Sequence, residues 1–332
     1  VVAGAPNNGE GEDNTGRVKK LRVGREEFPY VSAQAFRRWL RDSLPAQEPR
    51  SVVTRSGSGA KQQAHTAGRP DLHLDDDLFG YMVAVKGKGG SYQRDTVLAT
   101  GTLVSVVPQR PTLDFGTMSR DFPAGEHPVI HSHELYSATL AGDVLLDLPR
   151  AGVFETDGNG LRVAISPAVA EEAAKNGAEV TTLRGSAAIR LPLTERHRRI
   201  GTLLRTLASV RGGAKQALHY GDRAPSLVLL APLKGGVNPF TRVLGARDGK
   251  PVFLSDVLRE ELEAWADELD GPVLLGWAPG FLGDQREQVR RELKDLIDEG
   301  RVVLSHPRVL LTQLADRIEQ GDHDAWFEDS AA

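Results

Sequence analysis

The chain has no cysteine in its 332 residues. That removes a disulfide scaffold, a thiolate nucleophile and any cysteine-ligated metal, and it suits a cytoplasmic protein. No apolar stretch approaches the roughly 18 residues that a membrane-spanning helix needs, and no secretory signal pattern is present. A soluble, non-secreted protein with no membrane partner is expected. The chain opens at Val1 and not at methionine, so some N-terminal residues are expected to precede it. A large charge of one sign is missing as well, the formal net charge being −4. What remains is a chain with 40% hydrophobic residues, long enough for about two domains and a substantial core.

The small net charge hides a segregation. Residues 1 to 70 carry 12 Lys and Arg against 7 Asp and Glu, whereas Phe253 to Ala332 carries 8 against 19. A basic front can hold a polyanion while an acidic tail repels it or meets a basic neighbour.

Within the basic front the organising stretch is Tyr30 to Asp42. Ser32 is a good N-cap and a run of helix formers follows, so a helix is predicted from about Ser32 to Leu44, stopped by Pro45. At 100° per residue Phe36, Trp39, Leu40 and Leu44 share one side, and Gln34, Arg37, Arg38 and Arg41 the other. Such a cationic face is equally the solvated side of any surface helix. The preceding segment adds weight to a ligand-binding role. Arg17, Lys19, Lys20, Arg22 and Arg25 surround Val18, Leu21 and Val23, which puts Lys20 and Arg22 on one face of an extended strand. Together with the positive helix N-terminus at Ser32, these cations make a polyanion the natural ligand.

Several stretches in this order resemble a known family. Asn7-Asn8-Gly9-Glu10-Gly11-Glu12-Asp13-Asn14, Val18-Lys19-Lys20-Leu21-Arg22 and Tyr30 to Arg41 come first. Leu113 to Thr117, His133 to Ala138, Leu146-Asp147-Leu148 with Gly152-Val153-Phe154, and Gly212-Gly213-Ala214-Lys215-Gln216-Ala217 follow. The set is similar to the DevR-type backbone subunit, the seventh family of CRISPR-associated proteins, of type I Cascade complexes such as subtype I-B. Each motif alone is short; together they span Asn7 to Phe240. The resemblance implies an RNA-binding subunit without catalysis or cofactor. It polymerises along a CRISPR RNA, contacts other Cascade subunits and further copies of itself, and presents the guide to a target DNA strand. It also implies that part of a first strand lies ahead of Val1.

The remaining motifs are weaker. Pro45 to Lys88 reads as loop and insertion, including Arg50, Arg55, Ser56-Gly57-Ser58-Gly59, Lys61, Gln62 and Gln63, until a strand at Leu78 to Val85. Asp75-Asp76-Asp77 reads as a solvated acidic turn in preference to a metal site. Gly87-Lys88-Gly89-Gly90 lacks phosphate-loop spacing and reads as a turn. Val97 to Val107 reads as a strand followed by a loop through Asp114-Phe115-Gly116, which has the letters of a kinase magnesium motif without its other parts. His127, His131, His133 and Glu134 could gather a metal, with His131 and His133 on the same side of an extended segment. Hydrogen-bonded structural roles are the more common fate of such residues, and the resemblance implies no metal.

Glu134 to Phe154 reads as strand, turn and strand about Gly142-Asp143, and Ser166-Pro167 opens a short helix to Lys175. Leu193 to Val210 reads as an amphipathic helix, and Gly212-Gly213 after it as either its C-cap or a backbone approach to phosphate. A buried strand is expected at Ser226 to Pro232. This order gives an α+β fold with an RRM-like, ferredoxin-like core. That core lacks the aromatic RNP signature, so backbone contacts would dominate over base stacking.

The expected division is a palm from 1–45, 130–154 and 186–240, a finger insertion at 46–129, a thumb-like insertion at 155–185 and an acidic α/β region at 241–332. The thumb element in the family inserts between bases and touches the next subunit. Three helices, at 255–269, 284–299 and about 310–320, and strands at 273–277 and 302–304 are expected in the last region. The expected RNA-binding set is Asn8, Lys19, Lys20, Arg22, Ser32, Gln34, Arg37, Arg38, Arg41, Gly212, Gly213, Lys215 and Gln216. Two alternatives compete. One is a metal-dependent ribonuclease using His131, His133 and Glu134, since related type III backbone subunits cut RNA with an aspartate. The other is a transcriptional regulator, for which no helix-turn-helix pattern is found.

Overall fold

The basic helix forms where its sequence pattern places it. In the computed structural model, which describes residues 4–11, 15–56, 63–84, 91–118, 125, 127, 129–157 and 163–329, α1 spans Ala33–Ser43 with Phe36, Trp39 and Leu40 buried. Ser32 has the extended backbone of an N-cap, but its hydroxyl caps nothing. Of the sequence motifs, Glu12 to Asn14, Gly57 to Gly59, Lys61, Gln62 and Gly87 to Gly90 lie outside the described residues.

The strand Glu26–Val31 lies inside a four-stranded sheet with Lys20–Val23 on one side and Leu103–Ser105, then Leu140–Ala141, on the other. Lys20 and Arg22 do share a face, since both reach Glu27, at 3.4 and 3.1 Å. A second sheet orders Thr15–Gly16, Val129–Leu135 and Thr112–Met118. Its last two strands form a long antiparallel ribbon, so Asp114-Phe115-Gly116 is strand and not the expected loop. Gly142-Asp143 does not join a hairpin. Leu140–Ala141 pairs with Leu103–Ser105, and Val144–Leu146 pairs with Leu98–Thr100.

The acidic triplet is the clearest correction. Asp75, Asp76 and Asp77 lie buried on α2, Leu74–Phe79, and not in a solvated turn. Asp75 accepts from the Ser51 amide at 3.1 Å, and Asp76 from the Ser51 hydroxyl at 2.8 Å and the Arg69 amide at 3.0 Å. Asp77 accepts from the Gly152 amide at 3.0 Å and from Arg199 at 2.8 Å, and it pairs with Arg94. Arg94 and Arg199 are buried themselves, and a buried carboxylate persists where such partners satisfy it. Gly80, at φ +73°, turns the chain from α2 into the strand Tyr81–Ala84.

Two further helices follow their sequence signals. Ser166 caps α3, Pro167–Lys175, accepting from the Val169 amide at 3.2 Å. Helix α4 spans Leu193–Leu207 and buries Ile200, Leu203 and Leu204 against α1 residues in the main core. α3 packs on a three-stranded sheet ordered Val153–Glu155, Ser186–Arg190, Glu179–Leu183, around Phe154, Ile165 and Ile189.

Toward the C-terminus α5 is Ser255–Ala264, and the expected helix at 284–299 divides into α6, Gln285–Glu292, and α7, Lys294–Asp298. α8, Pro307–Glu319, is capped by His306, whose Nδ1 accepts from the Arg308 amide at 3.1 Å. The strand Leu227–Leu230 is half-buried and pairs antiparallel with Val273–Trp277, which runs parallel to Val302–Ser305. These strands and α5 to α7 surround a second core centred on Leu275, Trp277, Leu258 and Leu293.

Helix α8 of the acidic region does not stand apart. Leu311, Ala315 and Ile318 enter the main core beside α4, and Arg205 of α4 meets Asp316 and Glu319 at 2.6 Å each. The class is α+β, with eight α-helices and several small sheets among the described residues.

Candidate nucleic-acid interface

The N-terminal segment, α1, the ribbon and the Gly212–Gln216 loop converge. Gly4 bridges Tyr136 at the base of the ribbon, Asn8 bridges Val18, and the Ala214 amide donates to the Pro6 carbonyl at 3.0 Å. α4 ends at Leu207, so the two glycines do not cap it. Their positive φ values, +128° and +99°, and their surroundings explain them better. A Cβ at Gly212 would stand 3.0 Å from the Trp39 indole, and one at Gly213 3.1 Å from the Pro6 carbonyl oxygen. Only glycine lets this backbone lie on the indole of α1.

Lys215 follows in the left-handed region at φ +54°. Its ammonium crosses Gly16, where a Cβ would be 3.0 Å from Nζ and 3.7 Å from the Cβ of His133. Burial lowers the Lys215 pKa. Gln216 is spent on its own loop, its side chain donating to the Gly212 carbonyl at 2.5 Å and accepting from the Gly221 amide at 3.3 Å.

The other expected cations divide by their partners. Lys20 is held by Glu134 at 3.0 Å. The Arg22 hydrogen bond, with Lys20 beside it, keeps the Glu27 carboxyl below the usual carboxylate range. Arg38 is bound by Asp42 at 2.7 Å one turn later on α1. Arg41 lies 3.4 Å from Asp75 and 5.1 Å from the ring centre of Phe79. Arg37 donates to the Thr100 hydroxyl at 2.9 Å, and burial, with Arg41 adding to it, lowers its pKa. Among the described residues Lys19 and Lys215 make no ion pair. Asn8 and Gln34 are exposed, and Ser32 is half-buried. Arg37 and Arg41 each stand two residues from Trp39, about 200° around the helix. Arg37 and Arg41 therefore lie on a different side of α1 from the glycine loop.

One participant had no sequence signal. Arg223 lies 5.9 Å over the Trp39 ring, and its buried Nε and Nη2 find no partner among the described residues. Burial lowers its pKa. A lone arginine beside Asp222 in a loop gives no pattern to read.

The histidine cluster is rearranged. His131 and His133 do share one side of the strand, their rings 6.4 Å apart and nearly parallel at 12°. Glu134 points to the opposite face, as alternation requires, and accepts from the Val18 amide at 3.0 Å as well as from Lys20. His131, His133 and Glu134 therefore do not form a site, and His127 is exposed. Instead Asp114, directly opposite His133 in the ribbon, and His219, from the turn after Lys215, approach His133. His133 Nε2 is 2.6 Å from His219 Nε2 and 3.5 Å from Asp114 Oδ2. Burial, with Lys215 and His219 adding to it, lowers the His133 pKa.

No family model matches the chain, and no curated protein does. Solved structures share its fold. One, described as a CRISPR RNA-guided surveillance complex, aligns with a TM-score of 0.55 and 16% identity over 95% of this chain and 94% of its own. Another, described as such a complex before nicking, aligns with a TM-score of 0.57 and 12% identity over 91% and 94%. At these identities the likeness is one of fold. No helix among the described residues is long and apolar enough to cross a membrane.

Proposed function

We propose that this chain is a non-catalytic backbone subunit of a type I Cascade complex, of DevR type and subtype I-B. In this reading several copies bind along a CRISPR RNA in the cytoplasm, beside other Cascade subunits, and present its bases for pairing with a target DNA strand. Sequence is then read by base pairing, and the protein reads backbone shape and charge. The palm is the RRM-like element, 46–129 the finger and 155–185 the thumb-like insertion.

The observation that carries this reading is the convergence at Trp39 of the Gly212–Gln216 loop and the N-terminal segment. It occurs in a fold similar, over nearly the whole of both chains, to chains described as CRISPR RNA-guided surveillance complexes. The glycine backbone, Lys19 and Lys215 form the centre of the phosphate cradle, with Asn8, Lys20 and Arg22 beside them. On α1, Ser32, Gln34, Arg37, Arg38 and Arg41 form a second contact zone, whose paired arginines exchange a carboxylate for a phosphate. At the outer end of the ribbon Phe115, Met118, Val129 and Ile130 are exposed, which supports contact with a further copy.

Sizing the purified protein with and without single-stranded CRISPR RNA, in low and high salt, tests the reading. Stepwise, salt-sensitive growth on RNA that stays intact is expected. A particle that ignores RNA, or RNA recovered cleaved, overturns it.

A further inference from the structure

We propose that Asp114, His133 and His219 bind one first-row transition-metal ion of the zinc type. Antiparallel register sets Asp114 directly opposite His133, on the face of the ribbon that also carries His131. His219 arrives from a different element, fixed by its backbone N–H donating to the Lys215 carbonyl at 2.9 Å. The three ligand atoms lie within 4.8 Å of one another, and among the described residues no other such group of three occurs.

The distances suit the ion. Zinc holds imidazole nitrogen at about 2.0–2.1 Å, so tetrahedral neighbours stand roughly 3.3 Å apart. Here the separations from His133 Nε2 are 2.6 Å and 3.5 Å, which bracket that value. Widening the His133–His219 gap by under about 1 Å and drawing Asp114 and His219 together from within 4.8 Å, both by side-chain rotation, seats the ion.

The surroundings select the ion's class. Two imidazoles and one carboxylate suit zinc, cobalt or nickel and are poor ligands for magnesium or calcium. His133 is buried at 5% exposure, whereas half-exposed Asp114, at 49%, leaves an open side for a fourth ligand such as water or a phosphate oxygen. The glycine at 116 gives His131 its own place on the partner strand, a Cβ there running into the His131 imidazole. His131 is thus outside the ligand set. The Lys215 ammonium beside His133 opposes a dication and sets a ceiling on affinity.

The full chain, stripped with a chelator and dialysed, is titrated with Zn²⁺ by calorimetry and with Co²⁺ by visible absorption, Mg²⁺ serving as control. One equivalent of Zn²⁺, a cobalt spectrum of low coordination number and no Mg²⁺ uptake are expected. His219→Gln and Asp114→Asn should each weaken Zn²⁺ binding by at least about tenfold, and Lys215→Ala should tighten it. His131→Gln should leave it unchanged. Circular dichroism melts confirm that each variant is folded. No stoichiometric zinc on the wild-type chain overturns the site without reference to any variant, as does zinc bound equally well by folded His219→Gln and Asp114→Asn proteins.

Discussion

Replacing Lys215 with alanine removes an ammonium that no carboxylate among the described residues neutralises, without changing the backbone requirement, because alanine meets the same resistance at φ +54°. On single-stranded nucleic acid each phosphate contact contributes a slope of about 0.7 in log K against log salt. Referred to 1 M salt, one lost contact weakens binding by ~0.7 log units at 0.1 M, about fivefold or ~1 kcal/mol. At 0.5 M the same loss shrinks to about 1.6-fold. Arg38→Ala provides the contrast. Its guanidinium is 69% exposed and already held by Asp42 at 2.7 Å, so it gains little on exchanging that carboxylate for a phosphate, and a change below about twofold is expected. Fluorescence anisotropy with two labelled RNAs of different sequence, over a salt series, measures both. The reasoning is refuted if Lys215→Ala leaves the slope unchanged, if the loss persists at high salt, or if it differs between the two RNAs.

Three further outcomes follow from the packing. Gly212→Ala puts a Cβ 3.0 Å from Trp39 at a φ of +128°, so a loss of about 2 kcal/mol is expected in denaturant unfolding; a change within experimental error would show that the loop moves freely on α1. Asp77→Asn takes a charged partner from buried Arg94 and Arg199. It should cost about 3–5 kcal/mol, and a protein that melts as the wild type does would remove Asp77 from the role of hub. Burial holds the imidazoles of His197 and His323 below their ordinary value of 6.5, opposed at His197 by Asp324 and at His323 by Asp322. In the interval below 6.5 the unfolded chain therefore binds more protons than the folded one, so stability is fully present above that pH and falls on acidification. Thermal melts from about pH 7.5 to about pH 5.5 should show a falling Tm, and His197→Gln should flatten the profile; a Tm that rises on acidification contradicts the assignment.

Elements whose signal is local were legible. Ser166-Pro167 names a capped helix, and the spacing of Phe36, Trp39 and Leu40 names α1, because capping and periodicity are written within a few residues. Lys20 and Arg22 share a face because strands alternate. Asp75-Asp76-Asp77 failed for the opposite reason. Three consecutive carboxylates are a solvated turn unless something distant neutralises them, and Arg94 and Arg199 lie 17 and 122 positions away. Position within the chain carries no trace of that pairing.

The same distinction decides what was visible of the site. The glycine pair at 212 and 213 was identified as special, but its local reading as a helix cap competes with backbone approach until Trp39, far earlier in the chain, is found against it. Adjacency groups Glu134 with His131 and His133, yet one-residue alternation sends it to Lys20 on the other face. Strand parity is readable from sequence and would have removed Glu134 from that cluster. His219 could not have been added, since it lies 86 residues from His133 and no periodicity links them. The ribbon register and the loop seated on Trp39 together bring them into contact. The glycines that let the chain approach α1 therefore also position Lys215 and His219. A Cβ at Gly212, pressed against Trp39, should consequently disturb RNA binding and zinc binding together.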